Sequence, residues 1–188
     1  MINALTDTFH PCQLLADLQL VEQMSGRLEG VKVVFMGDSA CNMALSWIYA
    51  AHMTGIELTL CGPEKFHPPT DFLDSIGNPS NIKVTADPVK ASAGVDYIYT
   101  DVWVSMGFEQ EAAERLKIFK PYQVNSELLS NAAADVKVLH CLPAYRGKEI
   151  TAEVLDGPHS VVFDQAENRL HAQKAAMTVK FSNKIRFY

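Results

Sequence analysis

Five short stretches of this 188-residue chain set polar, acidic or thiol side chains where a small polar ligand could be held. The first is His10-Pro11-Cys12-Gln13. Pro11 suits the first position of a helix, since its missing N–H would have no intrahelical partner there. His10 then falls at the cap and Gln13 at the third helical position. That is a helix start with two extra polar side chains, suited to a phosphate or a carbonyl oxygen; a cap with no further role is the plainer reading. The second is Gly37-Asp38-Ser39-Ala40-Cys41-Asn42. A dinucleotide fingerprint needs three glycines here and only Gly37 is present. The free N–H groups of a helix start, with the Asn42 amide, could hold a carboxylate, or the segment is an ordinary capped helix. The third, Asp101-Val102-Trp103-Val104-Ser105-Met106-Gly107, puts an acid ahead of a serine. The pair could bind an ammonium group, or serve as a turn and a cap; Trp103 reads as core. The fourth, His140-Cys141-Leu142-Pro143, carries a thiol beside a proline. It is either a small buried hydrophobe or a polarisable group facing a substrate, without the Cys–His–Asn spacing of a protease nucleophile. The fifth is Glu167-Asn168-Arg169-Leu170-His171. Arg169 could fork onto a phosphate or pair with Gln165 one turn away, and His171 reads as structural.

These residues must be carried by something, and the hydrophobic pattern says what. Short β-branched or aromatic runs at Val31–Met36, Glu57–Cys61, Asn81–Val84, Tyr97–Thr100, Lys137–His140 and Val161–Phe163 read as buried strands. Between them, Asn42–Met53, Pro88–Ala93, Glu109–Phe119 and Ser126–Ala132 read as helices. The alternation predicts an α/β fold, a doubly wound, Rossmann-like parallel sheet with helices on both faces. Ligands of such sheets sit outside the carboxyl ends of the strands, where three of the stretches begin. Pro11–Met24 and Gln165–Lys180, the latter with Asp164 as expected N-cap, are helices that do not lie between strands. The expected organisation is a bridging helix and linker over 1–28, one α/β domain over 29–164, and a helix with an irregular tail over 165–188.

Composition bounds the rest. With 48% hydrophobic and 20% charged residues the chain can build one core. A net charge of -6 with no basic stripe argues against nucleic acid. No apolar run approaches the ~18 residues of a membrane span, and Met1 to His10 holds no Lys or Arg, unlike a targeting peptide. Cys12, Cys41, Cys61 and Cys141 form no C-x-x-C pair, so a disulfide framework and a zinc site are not expected, and reduced thiols in a cytoplasm are.

Taken together and in this order, the five stretches closely resemble the ornithine carbamoyltransferase family, over roughly Asn3 to Met177. Ser-Met-Gly and His-Cys-Leu-Pro are the discriminating pieces, favouring ornithine over aspartate as the amine substrate. The resemblance implies transfer of a carbamoyl group from carbamoyl phosphate to L-ornithine, giving L-citrulline and phosphate. It implies no cofactor and no metal. Asn42, Asp101, Ser105 and Met106 match residues that hold ornithine. His10, Pro11, Cys12, Gln13, Cys141, Leu142 and Arg169 match residues placed with carbamoyl phosphate. Asp101, Cys141, His10 and Arg169 are the matched residues of the chemistry, and the Leu142–Pro143 bond is expected to be cis.

The family also has a preceding domain with a Ser-Thr-Arg-Thr phosphate loop, and no such segment occurs in this sequence. The expectation is therefore the ornithine-binding half of the enzyme, nearly inactive by itself. Its family is homotrimeric largely through the other domain, so trimerisation is not expected here. The apolar sides of the two end helices should favour self-association. A non-catalytic amino-acid-binding module, or a carbamoyltransferase for another amine such as putrescine, are the alternatives.

Overall fold

Val33 and Phe35 face one side of a sheet and Val34 and Met36 the other, all four fully buried. In the computed structural model, which describes residues 2–104 and 112–182, they form β1 (Lys32–Met36) at the centre of five parallel strands. The others are β2 (Glu57–Cys61), β3 (Ile82–Thr85), β4 (Tyr97–Thr100) and β5 (Lys137–His140), in the order β3-β2-β1-β4-β5. The chain winds from β1 outward through β2 to β3, then returns to β1's other edge for β4 and β5. The register pairs Met36 with both Cys61 and Thr100, and Thr100 with His140. Four strands thus end level, and the crevice between the exits of β1 and β4 is the switch point of the winding, where such sheets take ligands.

Helices cover both faces. One core gathers Phe35, Tyr99, Leu58 and Leu60 with Trp47 and Ile48 of α2 (Asn42–Thr54) and Leu20 and Val21 of α1 (Pro11–Ser25). The other gathers Met36, Ile98 and Val138 with Trp103, Phe119 of α5 (Ala112–Phe119) and Leu128 of α6 (Ser126–Leu129). The remaining α-helices among the described residues are α3 (Thr70–Ser75), α4 (Pro88–Ser92), α7 (Ala152–Leu155) and α8 (Val162–Phe181), with short 3-10 turns at Glu64–Phe66 and Lys120–Tyr122. Pro11 takes the first turn of α1, as expected, and α1 ends at Gly26 with φ 69°, a left-handed cap that glycine adopts without strain. Gly62 is required for a different reason: a Cβ there would sit on the Gly37 carbonyl oxygen. The exits of β1 and β2 can touch only because Gly62 has none.

Three expectations are corrected. The run Val161–Phe163 is not a sixth strand. Val138 pairs with Ser160 through an isolated bridge, and the chain then turns into α8. Val161 and Val162 are buried as a strand would bury them, but Phe163 is 75% exposed, which a two-sided buried strand forbids. Asp164 is consequently inside the first turn of α8 instead of capping it, where its charge still favours the helix dipole. The last helix therefore begins near residue 162, and the first residues of the expected 165–188 unit are continuous with it. The expected helix Glu109–Phe119 is seen from Ala112; residues 109–111 lie outside the described residues.

The two end helices pack on each other, with Asn168 Nδ2 donating to Gln23 Oε1 at 2.8 Å. On the outer side of α8, Phe163, Leu170, Met177 and Phe181 are exposed. Their spacing places the first three along one stripe. Among the described residues no helix is long and apolar enough to cross a membrane.

Candidate active site

Asp101 leaves the end of β4 and Cys141 leaves the end of β5. Because those ends lie level, the Cys141 thiol donates to Asp101 Oδ1 at 3.1 Å, and the Val102 N–H donates to the same oxygen at 2.7 Å. Burial, followed by the neighbouring Asp101 charge, holds the Cys141 thiol well above its ordinary pKa. It is therefore a neutral S–H donor at pH 7, not a thiolate nucleophile. Cys41, the cap of α2, is pushed up in the same way by burial and then by Asp101. The Leu142–Pro143 bond is cis, as the resemblance implies, and Leu142 has φ 56°.

His140, the last residue of β5, is buried and faces inward. Its Nδ1 accepts the Leu142 N–H at 2.9 Å, so Nε2 carries the proton and faces Glu149 Oε1 at 3.4 Å. Glu149 also accepts the Tyr145 N–H. Asp101, His140 and Cys141 bring potential metal-ligand atoms within 4.8 Å of one another. The Cys141 thiol is spent on Asp101 and His140 Nδ1 on the Leu142 N–H, while His140 Nε2 faces Glu149 without a hydrogen bond.

On the α1 side, His10 sits at the cap without a side-chain capping bond. Its Nδ1–H donates to the Ala4 carbonyl at 3.0 Å, and its backbone N–H donates to Ser46 Oγ at 2.9 Å. Burial, then the positive charge of Arg169, lowers its pKa below 6.5. Neutral His10 therefore presents a bare Nε2, which becomes a donor only on protonation. Gln13 is buried; it donates to Asp17 Oδ1 at 2.8 Å and accepts from Arg169 Nη1 at 2.7 Å. Arg169 pairs with Gln13 across the two end helices, not with Gln165 on its own helix. The Cys12 thiol is turned to the Asn3 carbonyl at 3.4 Å, so this position offers a ligand no thiol. Pro11 is half-buried at the first helical position.

Asn42 begins α2, and its Nδ2 donates to the Thr6 carbonyl at 3.0 Å. Residues 2–8 thus reach across to the start of α2. Ser105 and Met106 lie outside the described residues. The structure therefore brings Asp101 with Cys141, and Gln13 with Arg169, into direct contact. A groove of about 750 Å3 lies by Lys32 and Glu57, at the strand starts and away from these groups.

Several residues of this region carry no motif. Arg115 of α5 is buried, donating to the Trp103 carbonyl and to Asp38, with its guanidinium 4.7 Å from the Phe66 ring centre. Asp38 in turn accepts the Ala40 N–H at 3.1 Å. Asp17 and Gln165 are fully enclosed between α1, α8 and the sheet. Asp17 could have been found as the one acid in the apolar run Leu14–Leu18, four residues after Gln13 and so on its face; Arg115 left no such trace.

The chain is thus a doubly wound α/β domain with an acid–thiol pair at its switch-point crevice and an amide–guanidinium pair on the helices beside it. The chain belongs to the aspartate/ornithine carbamoyltransferase family: residues 29–179 match the model of that family's Asp/Orn binding domain. The ornithine carbamoyltransferase of Renibacterium salmoninarum is 50% identical over 182 residues, covering 94% of this chain and 58% of that protein. That of Methanothermobacter thermautotrophicus is 49% identical over 182 residues. The ornithine carbamoyltransferase structure from Pyrococcus furiosus superimposes with a TM-score of 0.88 at 44% identity, covering 97% of this chain and 59% of that one. The chain thus spans about three fifths of the length of these relatives.

Proposed function

We propose that this chain forms the ornithine side of an ornithine carbamoyltransferase, which converts carbamoyl phosphate and L-ornithine to L-citrulline and phosphate. The observation that carries the reading is the Cys141–Asp101 contact at the level ends of β4 and β5. An amine nucleophile must arrive positively charged and react neutral. Asp101 supplies the anion that draws the ammonium group in, and the neutral Cys141 thiol fixes which carboxylate oxygen faces it. Asn42, with Ser105 and Met106, holds the α-amino-acid end. The leaving phosphate is the acceptor for the amine proton.

The carbamoyl carbon is attacked on the side facing Asp101. As the tetrahedral centre forms, negative charge builds on its oxygen, and Arg169 and protonated His10 are the donors aimed at it. Losing one such donor costs about 3 kcal/mol of barrier. Gln13, fixed by Arg169 and Asp17, orients the carbamoyl amide, and the backbone of Pro11, Cys12 and Leu142 lines the same side. The Ser-Thr-Arg-Thr phosphate cradle of the family belongs to the part of the longer relatives that these 188 residues do not match. Turnover is therefore proposed to require that part, and trimer assembly with it. The setting is cytoplasmic, in keeping with four free thiols.

The test is citrulline formation by the purified chain, with and without an amino-terminal carbamoyl-phosphate domain added in trans, alongside calorimetric ornithine binding. Ornithine binding with activity only on addition supports the reading. Ornithine binding without activity in either case makes the chain an amino-acid-binding module, and preference for putrescine assigns another amine.

A further inference from the structure

Asp17 is fully enclosed, with no exposed surface, in the middle of α1. A carboxylate in such a place is expensive unless each oxygen is paired. One oxygen is doubly served: Gln13 Nε2 donates to Oδ1 at 2.8 Å and Gln165 Nε2 donates to it at 2.7 Å. The other, Oδ2, makes no hydrogen bond of normal geometry, although the Tyr99 hydroxyl lies near enough to pull the carboxyl's pKa down. An acid kept in this arrangement does something an apolar residue would not.

What it does follows from the other ends of the two glutamines. Gln13 Oε1 accepts from Arg169 Nη1 at 2.7 Å. Gln165 Oε1 accepts the His140 N–H at 2.9 Å, at the residue preceding Cys141. An amide that donates at one end and accepts at the other cannot flip without breaking both bonds. Asp17 accepts both donors, so it fixes which way both amides point. We infer that Asp17 is a positioning residue that sets the Gln13–Arg169 pair and the Cys141 turn in one frame, and that its protonation state is felt at both.

The charged and titratable groups facing Asp17 come from every element around it: Arg169 on α8, Tyr99 on β4, and Cys141 at the exit of β5, with Asp101 facing the Tyr99 hydroxyl and Cys141. Burial pushes Asp17 up to about 7, against the pull of the two glutamines, Tyr99 and Arg169. The group that orients both amides therefore changes charge near neutrality. Its ionised form is one of the charges that hold the Cys141 thiol protonated. An anion seated on Arg169 would compete with Asp17 for that guanidinium and raise the carboxyl further, so anion binding would take up a proton. That consequence rests on the proposed function; the positioning role itself does not.

The test therefore needs no ligand. The Asp17 carboxyl carbon and the side-chain amides of Gln13 and Gln165 are followed by NMR in the whole chain from pH 5 to 9, with the Cys141 alkylation rate measured over the same range. The expected result is one shared midpoint near neutrality at all three residues. In Asp17→Asn, which keeps an acceptor oxygen, that midpoint disappears and Cys141 alkylates several-fold faster at pH 8. Glutamine amides that ignore the Asp17 titration, or an unchanged Cys141 rate in a folded Asp17→Asn, would overturn the inference. The wild-type titration decides the matter even if the variant does not fold. Failure to bind ornithine would count against the proposed function and leave these readouts unaffected.

Discussion

Asp38 and Arg115 are 77 residues apart in sequence and meet as a buried ion pair, the guanidinium also holding the Trp103 carbonyl. This pair ties the loop after β1 to the loop after β4, the two that bound the switch-point crevice. Breaking one partner leaves the other charge enclosed. Arg115→Met is expected to destabilise the chain by about 3–5 kcal/mol, the range for breaking a buried pair. Urea unfolding measures it, and a loss below about 1 kcal/mol would show that the pair behaves as a surface bridge.

Asp101→Asn removes the charge proposed to draw the amine. Ornithine affinity should fall by roughly 10- to 100-fold, the worth of one hydrogen bond to a charged group, as measured by calorimetry. Cys141→Ser keeps a donor on Asp101 and should cost less than Cys141→Ala. Equal losses from both would mean that the thiol contributes by packing alone.

His10 is held below its usual pKa by burial and by Arg169. Protonation adds a positive charge beside Arg169, so an anion bound there favours the protonated form. Carbamoyl phosphate or phosphate affinity, relative to His10→Gln at the same pH, should rise as pH falls below 6.5. A ratio that does not change with pH would remove His10 from the anion site.

Asp17 sets a pH dependence of stability whose sign is fixed. Its folded pKa, about 7, lies above the ordinary 3.8, so the folded state holds the proton more tightly. The contribution is fully present below about pH 4 and is lost as pH rises through 7. Three units correspond to at most on the order of 4 kcal/mol. Asp17→Asn should flatten this fall, leaving the variant the more stable chain at pH 8 in thermal unfolding; a parallel pair of curves would contradict the assignment.

Much of the frame was readable in the chain. The strands at 32–36, 57–61, 97–100 and 137–140 and the long helices at 11–25 and 42–54 announce themselves by apolar runs, the first helix also by Pro11 at its first position. The misreading at Val161–Phe163 has a plain cause. Two buried valines look alike whether a sheet neighbour or a helix start buries them, and three residues are too few for a period to show. Four of the five chemical stretches were likewise visible because they stand at the start or end of an element, while Glu167–His171 lies inside α8.

By itself the sequence determined which residues stand at strand and helix ends, since propensity, capping and hydrophobic period are local. It could not determine that Asp101 would meet Cys141, that Gln13 would turn from solvent to Arg169, or that Asp17 would be buried between two glutamines. Those facts depend on the order β3-β2-β1-β4-β5 and on α8 folding back over α1. Contacts across 40 to 156 residues arise only when the sheet and its covering helices close around one core. Only then does burial keep the Cys141 thiol protonated and push the Asp17 carboxyl up to about 7.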